Sequence, residues 1–235
     1  MMSRKFAVFD IDGTLIRWQL YHAIVDQIVN LGYPNENAKH KLKKARMVWK
    51  NRQYEEAFSD YEKELIRIYE SSFNELRPEQ FDQLVDGVID RYKDQVYTFT
   101  RDLVKDLRQK GYFLIAISGS HQELVEKLAQ YYNFDSWVGT KYERIHGKFS
   151  GKKYVPSMNK SAVLHKIITE NNLAMDDSYA VGDTISDLPV LEMVDNPIAF
   201  NPEKKLLEAS SNNGWKIVIE RKNVIYQLDS KNRTW

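Results

Sequence analysis

The segment VFDIDGTLI, residues 8–16, sets the architecture expected of this 235-residue chain. Its apolar start continues a run that begins at Lys5, which is typical of a short strand buried on both faces of a parallel sheet. The run stops at Asp10, and a second aspartate, Asp12, follows two residues later. Because ligands of open α/β sheets bind at the carboxyl ends of the strands, this placement predicts a functional site directly after the first strand.

Further strand-like runs follow from residue 96 onward, alternating with segments of helical spacing. The predicted strands are YFLIAIS (112–118), WV (137–138), YAVGD (179–183), PIAF (197–200) and WKIVIE (215–220), with a hairpin over 140–153. This alternation predicts a Rossmann-like parallel sheet with helices on both faces, an α/β fold. The last dozen residues are polar, and no element is predicted there.

Residues 16–95 have a different pattern, with four segments of helical spacing and highly charged outer faces. They predict an all-helical domain inserted after the first strand. We therefore expect an α/β catalytic core formed by residues 1–15 and 96–235, and a helical cap formed by residues 16–95.

The composition argues against several classes of protein. The chain has 34 basic and 33 acidic residues, a net charge of +1, so its charge gives no reason to expect binding to nucleic acid or to an anionic membrane. It has no cysteine, which excludes disulfides and thiol chemistry. We find no signal-peptide pattern and no apolar run near the roughly 20 residues of a membrane helix. We therefore expect a cytoplasmic protein without a membrane or nucleic-acid partner.

Carboxylates gather at the predicted strand ends. Asp10 and Asp12 follow the first strand, Asp183 ends the YAVGD strand, and Asp187 lies one helical turn further on. Clustered carboxylates raise one another's pKa unless a cation lies among them. Because the set offers oxygen ligands without His or Cys, it points to Mg²⁺.

The same rim also offers groups suited to an anion. Lys160 begins the helix before the YAVGD strand, and Ser118 and Gly119 end the YFLIAIS strand. Ser120 and Glu123 fit a capping box, which would place Ser118 and Gly119 just ahead of a helix N-terminus, a natural phosphate seat. A metal, a phosphate seat and an exposed aspartate together predict phosphoryl transfer.

Four motifs carry a family resemblance: FDIDGTL, ISGS, NKSAVL and GDTISDLPVL. Together they resemble the haloacid dehalogenase-like hydrolase superfamily, in the branch similar to phosphoserine phosphatase. The resemblance covers the α/β part from end to end, and the cap has the type and position found in that branch. It implies a Mg²⁺-dependent phosphatase that acts on a small phosphorylated substrate through an aspartyl-phosphate.

The resemblance also implies a role for each motif residue. Asp10 is the nucleophile, and Asp12 is the general acid for the leaving alcohol and then the base for water. Ser118 and the N–H group of Gly119 hold the phosphoryl oxygens. Lys160 neutralises charge on the phosphate and on Asp10.

A metal shell is implied in the same way. Asp183 completes the Mg²⁺ shell together with the Asp10 carboxylate and the backbone carbonyl of Asp12. Asp187 lies beside the metal, in contact with its ligands or through water. These assignments agree with the oxygen-only ligand set expected from the residues alone.

Two residues at the start of the cap are predicted to face the substrate, Trp18 and Gln19. In phosphoserine phosphatases a glutamate nine residues past the nucleophile receives the substrate's amino group, and here that position is Gln19. Glutamine cannot pair ionically with an ammonium group, and Trp18 favours flat or apolar contact. We therefore expect a neutral or larger phosphomonoester rather than phosphoserine.

Other functions stay open at this point. The chain could be a phosphoserine phosphatase proper, or, in a different class, a phospho-accepting receiver-like protein or a non-catalytic binding protein of similar fold. A receiver carries its phosphorylated aspartate on the third strand, and a non-catalytic protein would be expected to lose Asp10 or Asp12. A dehalogenase does not normally carry an aspartate at the position of Asp12. The sequence specifies neither the substrate nor the oligomeric state.

Overall fold

Two compact units make up the chain in a computed structural model that describes residues 3–228. The core unit contains the chain up to Gln19, the segment Tyr92–Thr140, and the chain from Val155 onward. The cap unit contains Leu20–Arg91 and Lys141–Tyr154. Compared with the expected boundaries, residues 16–19 and 92–95 group with the core, and most of the predicted hairpin groups with the cap.

A mostly parallel sheet forms the centre of the core unit. The strands of the chain are β1 (Arg4–Phe9), β2 (Phe113–His121), β3 (Ser136–Ile145), β4 (Lys148–Tyr154), β5 (Leu173–Gly182), β6 (Asn196–Phe200), β7 (Lys216–Arg221) and β8 (Val224–Leu228). β4 and the end of β3 belong to the cap unit. The sheet order from β3 to the far edge is β3-β2-β1-β5-β6-β7-β8. All neighbours in this row pair in parallel except β7 and β8, which are antiparallel. The predicted α/β fold is confirmed.

β1 lies between β2 and β5, which places Asp10 at the centre of the sheet's carboxyl edge. Phe9, the last residue of β1, aligns with Ala116 on β2 and with Val181 on β5. The side chains from Phe6 to Phe9 are buried on both faces. This two-sided burial explains why the sequence shows a continuous apolar run here instead of an alternating one.

The helices are α1 (Leu20–Asn30), α2 (Glu36–Lys50), α3 (Ala57–Ser72), α4 (Pro78–Tyr92), α5 (Thr98–Gln109), α6 (Gln122–Tyr131), α7 (Lys160–Asn171), α8 (Leu188–Leu191) and α9 (Lys204–Asn212). The inserted helical segment predicted after the first strand is confirmed. β8 lies among the last dozen residues, where no element was predicted, and residues 229–235 lie outside the described part. Between residues 3 and 228, no helix has the length and apolar character needed to cross a membrane.

The cap unit has an aromatic interior. Tyr61 and Tyr69 are almost fully buried, and Tyr61 packs edge-to-face on His22 with ring centroids 5.1 Å apart. Burial, assisted by the positive charge of Arg46, lowers the pKa of His22 to about 3. His22 is therefore a neutral packing residue at physiological pH.

The hairpin of β3 and β4 completes this interior. Within the cap unit, Phe149 of β4 stacks on Phe73 with ring centroids 4.1 Å apart. Arg144 of β3 donates two hydrogen bonds, of 2.9 and 2.7 Å, to the Asp82 carboxylate on α4. Such bidentate pairs are geometrically specific, so they fix the hairpin against the cap helices.

Candidate active site

A buried lysine lies between two aspartates at the carboxyl edge of the core sheet. Lys160 is the first residue of α7, whose N-terminus is capped by the Asn159 side chain. Its Nζ atom lies 2.6 Å from Oδ1 of Asp10 and 2.6 Å from Oδ1 of Asp187. Only 2% of Lys160 is exposed, so this ion triad is shielded from water.

The charges of this triad strongly affect one another. Burial raises the pKa of the Asp10 carboxyl to about 7, although the Lys160 ammonium opposes this shift. Burial also acts against the charge of Lys160, but Asp10 and Asp187 outweigh it and raise the lysine's pKa. For Asp183, burial and then the negative charges of Asp10 and Asp187 raise the pKa well above its usual value. One lysine therefore does not neutralise the carboxylates, and the site favours a further cation.

Three carboxylates are close enough together to hold that cation. Oxygen atoms of Asp10, Asp183 and Asp187 lie within 4.8 Å of one another. Asp187 is also engaged elsewhere, because its Oδ2 atom accepts hydrogen bonds from the N–H groups of Asp183 (3.1 Å) and Thr184 (3.0 Å). A buried set of hard oxygen donors with excess negative charge fits a divalent cation such as Mg²⁺.

The loop after β1 approaches Asp183 closely. Gly13 has a φ of +80°, and a Cβ atom at this position would collide with the Asp183 carboxylate, so glycine is required for two reasons. Thr14, fully buried, donates a hydrogen bond of 2.9 Å from its hydroxyl to Oδ1 of Asp183. Thr14 therefore links the loop after β1 directly to Asp183.

Asp12 receives two hydroxyl groups from the end of β2. Its Oδ2 atom accepts hydrogen bonds from Ser118 (3.1 Å) and from Ser120 (2.5 Å), and both serines are buried. The predicted capping box of Ser120 and Glu123 is wrong, because α6 follows His121 and has no side-chain cap. The Ser120 hydroxyl is instead directed to Asp12. Ser120 is thus a site residue that the capping pattern concealed.

The remaining predicted residues lie around this site. Gly119 is exposed, and its carbonyl oxygen accepts a hydrogen bond of 2.7 Å from the Thr140 hydroxyl. The Trp18 carbonyl accepts a hydrogen bond of 3.4 Å from the Gly13 N–H group, which places its backbone beside the loop after β1. Gln19 is half-buried and directly precedes α1. The substrate-facing roles of Trp18 and Gln19 stay predictions.

Relatives of the chain include proteins named as phosphatases. A probable phosphatase of Mycobacterium tuberculosis is 25% identical over 125 residues, which cover 52% of this chain and 44% of that protein. The chain thus matches less than half the length of its mycobacterial relatives. A histidinol-phosphatase of Neisseria meningitidis is 22% identical over 227 residues, covering 92% of this chain and 98% of that protein.

A solved structure and a family model agree with this picture. The structure of a phospho-aspartyl intermediate analogue of phosphoserine phosphatase superposes with a TM-score of 0.62 at 20% identity, covering 94% of this chain and 95% of that chain. Its likeness shows the fold, with the helical insertion after the first strand. The family model described as haloacid dehalogenase-like hydrolase matches residues 7–192, which include Asp10, Lys160 and Asp183. The chain therefore belongs to the haloacid dehalogenase-like hydrolase family, in the branch that resembles phosphoserine phosphatase.

Proposed function

We propose that the chain is a Mg²⁺-dependent phosphomonoesterase that hydrolyses a small phosphorylated metabolite through an aspartyl-phosphate on Asp10. The observation that carries the proposal is the buried contact of Lys160 with both Asp10 and Asp187, beside an Asp12 that is held by two hydroxyl groups. This arrangement combines a nucleophile, a proton carrier and a positive charge at one point. Membership of a hydrolase family supports the same conclusion.

In the first half of the reaction, a carboxylate oxygen of Asp10 attacks the phosphorus atom. The bond from phosphorus to the substrate oxygen breaks, and Asp12 donates a proton to the departing alcohol. Lys160 holds Asp10 in place and balances the negative charge that accumulates around it. Ser118, which contacts Asp12 here, would donate its hydroxyl to a phosphoryl oxygen together with the N–H group of Gly119.

In the second half, Asp12 acts as a base. It accepts a proton from a water molecule, whose oxygen attacks the phosphorus atom and releases inorganic phosphate from Asp10. The hydrogen bond from Ser120 to Asp12 fixes the direction of the carboxylate during both proton transfers. Asp10, Asp183 and the Asp12 carbonyl would hold Mg²⁺, which when bound supplies positive charge against the phosphoryl oxygens.

Metal removal tests this proposal. Treatment with EDTA is expected to lower phosphate release from p-nitrophenyl phosphate by at least about 100-fold, or ~2.7 kcal/mol of barrier, and added Mg²⁺ should restore it. The reason is that the carboxylates offer only hard oxygen ligands and leave the site with excess negative charge. Full turnover in a metal-free preparation would contradict the mechanism.

The residues near the loop after β1 indicate the class of substrate. We propose a neutral or larger phosphomonoester, because Gln19 stands where a charged partner for the phosphoserine ammonium would be expected. An ammonium group in a closed site without an ionic partner is unfavourable by about 2–5 kcal/mol. Trp18 adds a flat apolar surface, which suits a ring or a polyol chain better than a small zwitterion.

A substrate panel checks this assignment. L-phosphoserine should not have the highest kcat/KM in a series that includes histidinol phosphate and sugar, polyol and nucleoside monophosphates. A matched variant, Gln19→Glu, should raise kcat/KM for L-phosphoserine by about tenfold, or ~1.4 kcal/mol, and leave kcat/KM for substrates without an ammonium group nearly unchanged. If wild-type protein prefers L-phosphoserine by a clear margin, the interpretation of Gln19 is wrong.

The alternatives predict different kinetics. A receiver-like protein would take up one phosphoryl group per chain and then stop, and a binding protein would release no phosphate. Sustained release of many phosphates per chain in the same p-nitrophenyl phosphate assay therefore separates an enzyme from both.

A further inference from the structure

The first turn of α5 is capped by a residue from far along the chain. Tyr97, which precedes α5, makes no side-chain cap, and the first turn contains no acidic residue. Instead the Glu220 carboxylate, on β7, accepts hydrogen bonds from the N–H groups of Thr98 (3.0 Å) and Phe99 (2.8 Å). A carboxylate at this end of a helix satisfies free N–H groups and interacts favourably with the helix dipole.

Glu220 is itself firmly held. Only 8% of the residue is exposed, and its N–H group donates a hydrogen bond of 2.9 Å to the Asn201 side chain. Asn201 follows β6 in a left-handed conformation with a φ of 43°, and its N–H group bonds to the Val218 carbonyl at 2.8 Å. Phe99 also stacks on Phe200, with ring centroids 5.8 Å apart. The carboxylate that caps α5 is therefore anchored at the ends of β6 and β7.

The first turn of α5 also contacts the loop after β1. The hydroxyl group of Thr100, which is fully buried, donates a hydrogen bond of 2.9 Å to the carbonyl of Thr14. Thr14 in turn donates its own hydroxyl to Asp183 at 2.9 Å. The N–H group of Tyr97 bonds to the Leu15 carbonyl at 3.0 Å. An unbroken series of contacts thus connects Glu220 to Asp183.

We propose that Glu220 is a positioning residue, which fixes the first turn of α5 so that Thr100 and Thr14 keep Asp183 oriented toward the metal. The inference rests on the proposed function only through the Mg²⁺ that Asp183 would help to hold. Partners of metal ligands typically change metal affinity by about 10- to 100-fold when removed, and Glu220 acts through two further residues. A smaller effect is therefore expected from it.

The experiment compares Glu220→Gln with Thr100→Val. Each variant should weaken Mg²⁺ binding, measured by calorimetry on the whole chain, by about three- to tenfold relative to wild type. Glu220→Gln should also speed hydrogen exchange at the N–H groups of residues 98 and 99. Thr100→Ser keeps the hydroxyl group and should retain wild-type affinity.

Asp135→Asn is the matched control. Asp135 accepts a hydrogen bond of 2.8 Å from the Leu114 N–H group and pairs with Arg4. Like Glu220, it is a carboxylate that binds a backbone N–H group, but it takes no part in the contacts that lead to Asp183. This variant should lose stability without any change in Mg²⁺ affinity. A loss of affinity in Asp135→Asn as large as that in Glu220→Gln would overturn the proposal, since any destabilisation would then suffice.

Kinetics and coupling complete the test. With p-nitrophenyl phosphate at saturating Mg²⁺, Glu220→Gln should lower kcat by about three- to tenfold and leave KM within about twofold. The double variant with Thr100→Val should lose little more affinity than either single variant, because both interrupt one series of contacts. Two results would contradict the positioning role and leave Glu220 only as the cap of α5. One is a fully additive loss of Mg²⁺ affinity in the double variant. The other is an unchanged Mg²⁺ affinity in Glu220→Gln together with faster hydrogen exchange at residues 98 and 99. If neither the wild-type protein nor any variant releases phosphate, the proposed function is wrong. The measurements of Mg²⁺ affinity and hydrogen exchange then still decide the role of Glu220.

Discussion

Replacing Asp10 with asparagine is expected to reduce phosphate release by at least about 10⁴-fold, or ~5.4 kcal/mol of barrier. An amide cannot form the aspartyl-phosphate, so the proposed pathway is closed and not merely slowed. Asparagine has the same shape and keeps an oxygen that can accept the hydrogen bond from Lys160. The substitution therefore removes the nucleophile with little change in packing.

The stability of the same variant provides the control. Because burial raises the pKa of Asp10 above its unfolded value, ionised Asp10 destabilises the metal-free protein increasingly as the pH rises from about 4 to about 7. Asp10→Asn should therefore be at least as stable as wild type in EDTA at pH 7.5, as measured by urea unfolding. Activity within about tenfold of wild type, or ~1.4 kcal/mol, in a folded variant would contradict the assignment of the nucleophile.

Replacing Lys160 with methionine is expected to cost about 3–5 kcal/mol of stability at neutral pH and at least about 100-fold in turnover. Methionine keeps much of the length of the side chain but leaves Asp10 and Asp187 buried without their shared cation. Because burial holds the pKa of Asp10 at about 7, this carboxyl can take up a proton instead, and the loss of stability should shrink as the pH is lowered toward 5.

Urea unfolding in EDTA at pH 7.5 and pH 5 measures the effect on stability, with Lys166→Met as the control. Lys166 lies on the same helix but is largely exposed and pairs with Glu170 at 3.7 Å, so its replacement should change stability by less than about 1 kcal/mol. Equal stability of Lys160→Met and wild type at both pH values would show that the ion triad does not hold the site together.

Local sequence patterns were sufficient to predict the sheet and to indicate which residues lie at its carboxyl edge. β1 is apolar because it is buried on both faces, and this signal lies within a few consecutive residues. Since parallel strands end at one edge, placing Asp10, Asp183 and Lys160 at their respective strand and helix ends was enough to bring them together. In the structure Lys160 contacts both Asp10 and Asp187, and an Asp183 oxygen lies within 4.8 Å of an oxygen of each of these carboxylates.

The parts that could not be predicted depend on contacts between distant segments. Ser120 fits a local capping pattern, yet its hydroxyl reaches Asp12, 108 positions earlier in the chain. Glu220 caps α5 from 121 positions away, and nothing near either residue indicates the pairing. β8 does carry apolar residues, but Val224, Ile225 and Tyr226 are exposed, and the strand pairs in antiparallel with β7. The pattern of buried parallel strands that alternate with helices therefore does not indicate it.

The hairpin that packs against the cap helices has a consequence for how such caps can be exchanged between relatives. The cap unit is encoded in two separate pieces, residues 20–91 and 141–154, with core sequence between them. A single recombination event that transplanted only the helices would uncover the faces of Phe73 and Asp82 that now meet Phe149 and Arg144. Successful exchange of this cap between relatives, in evolution or in the laboratory, therefore requires that both segments are transferred together.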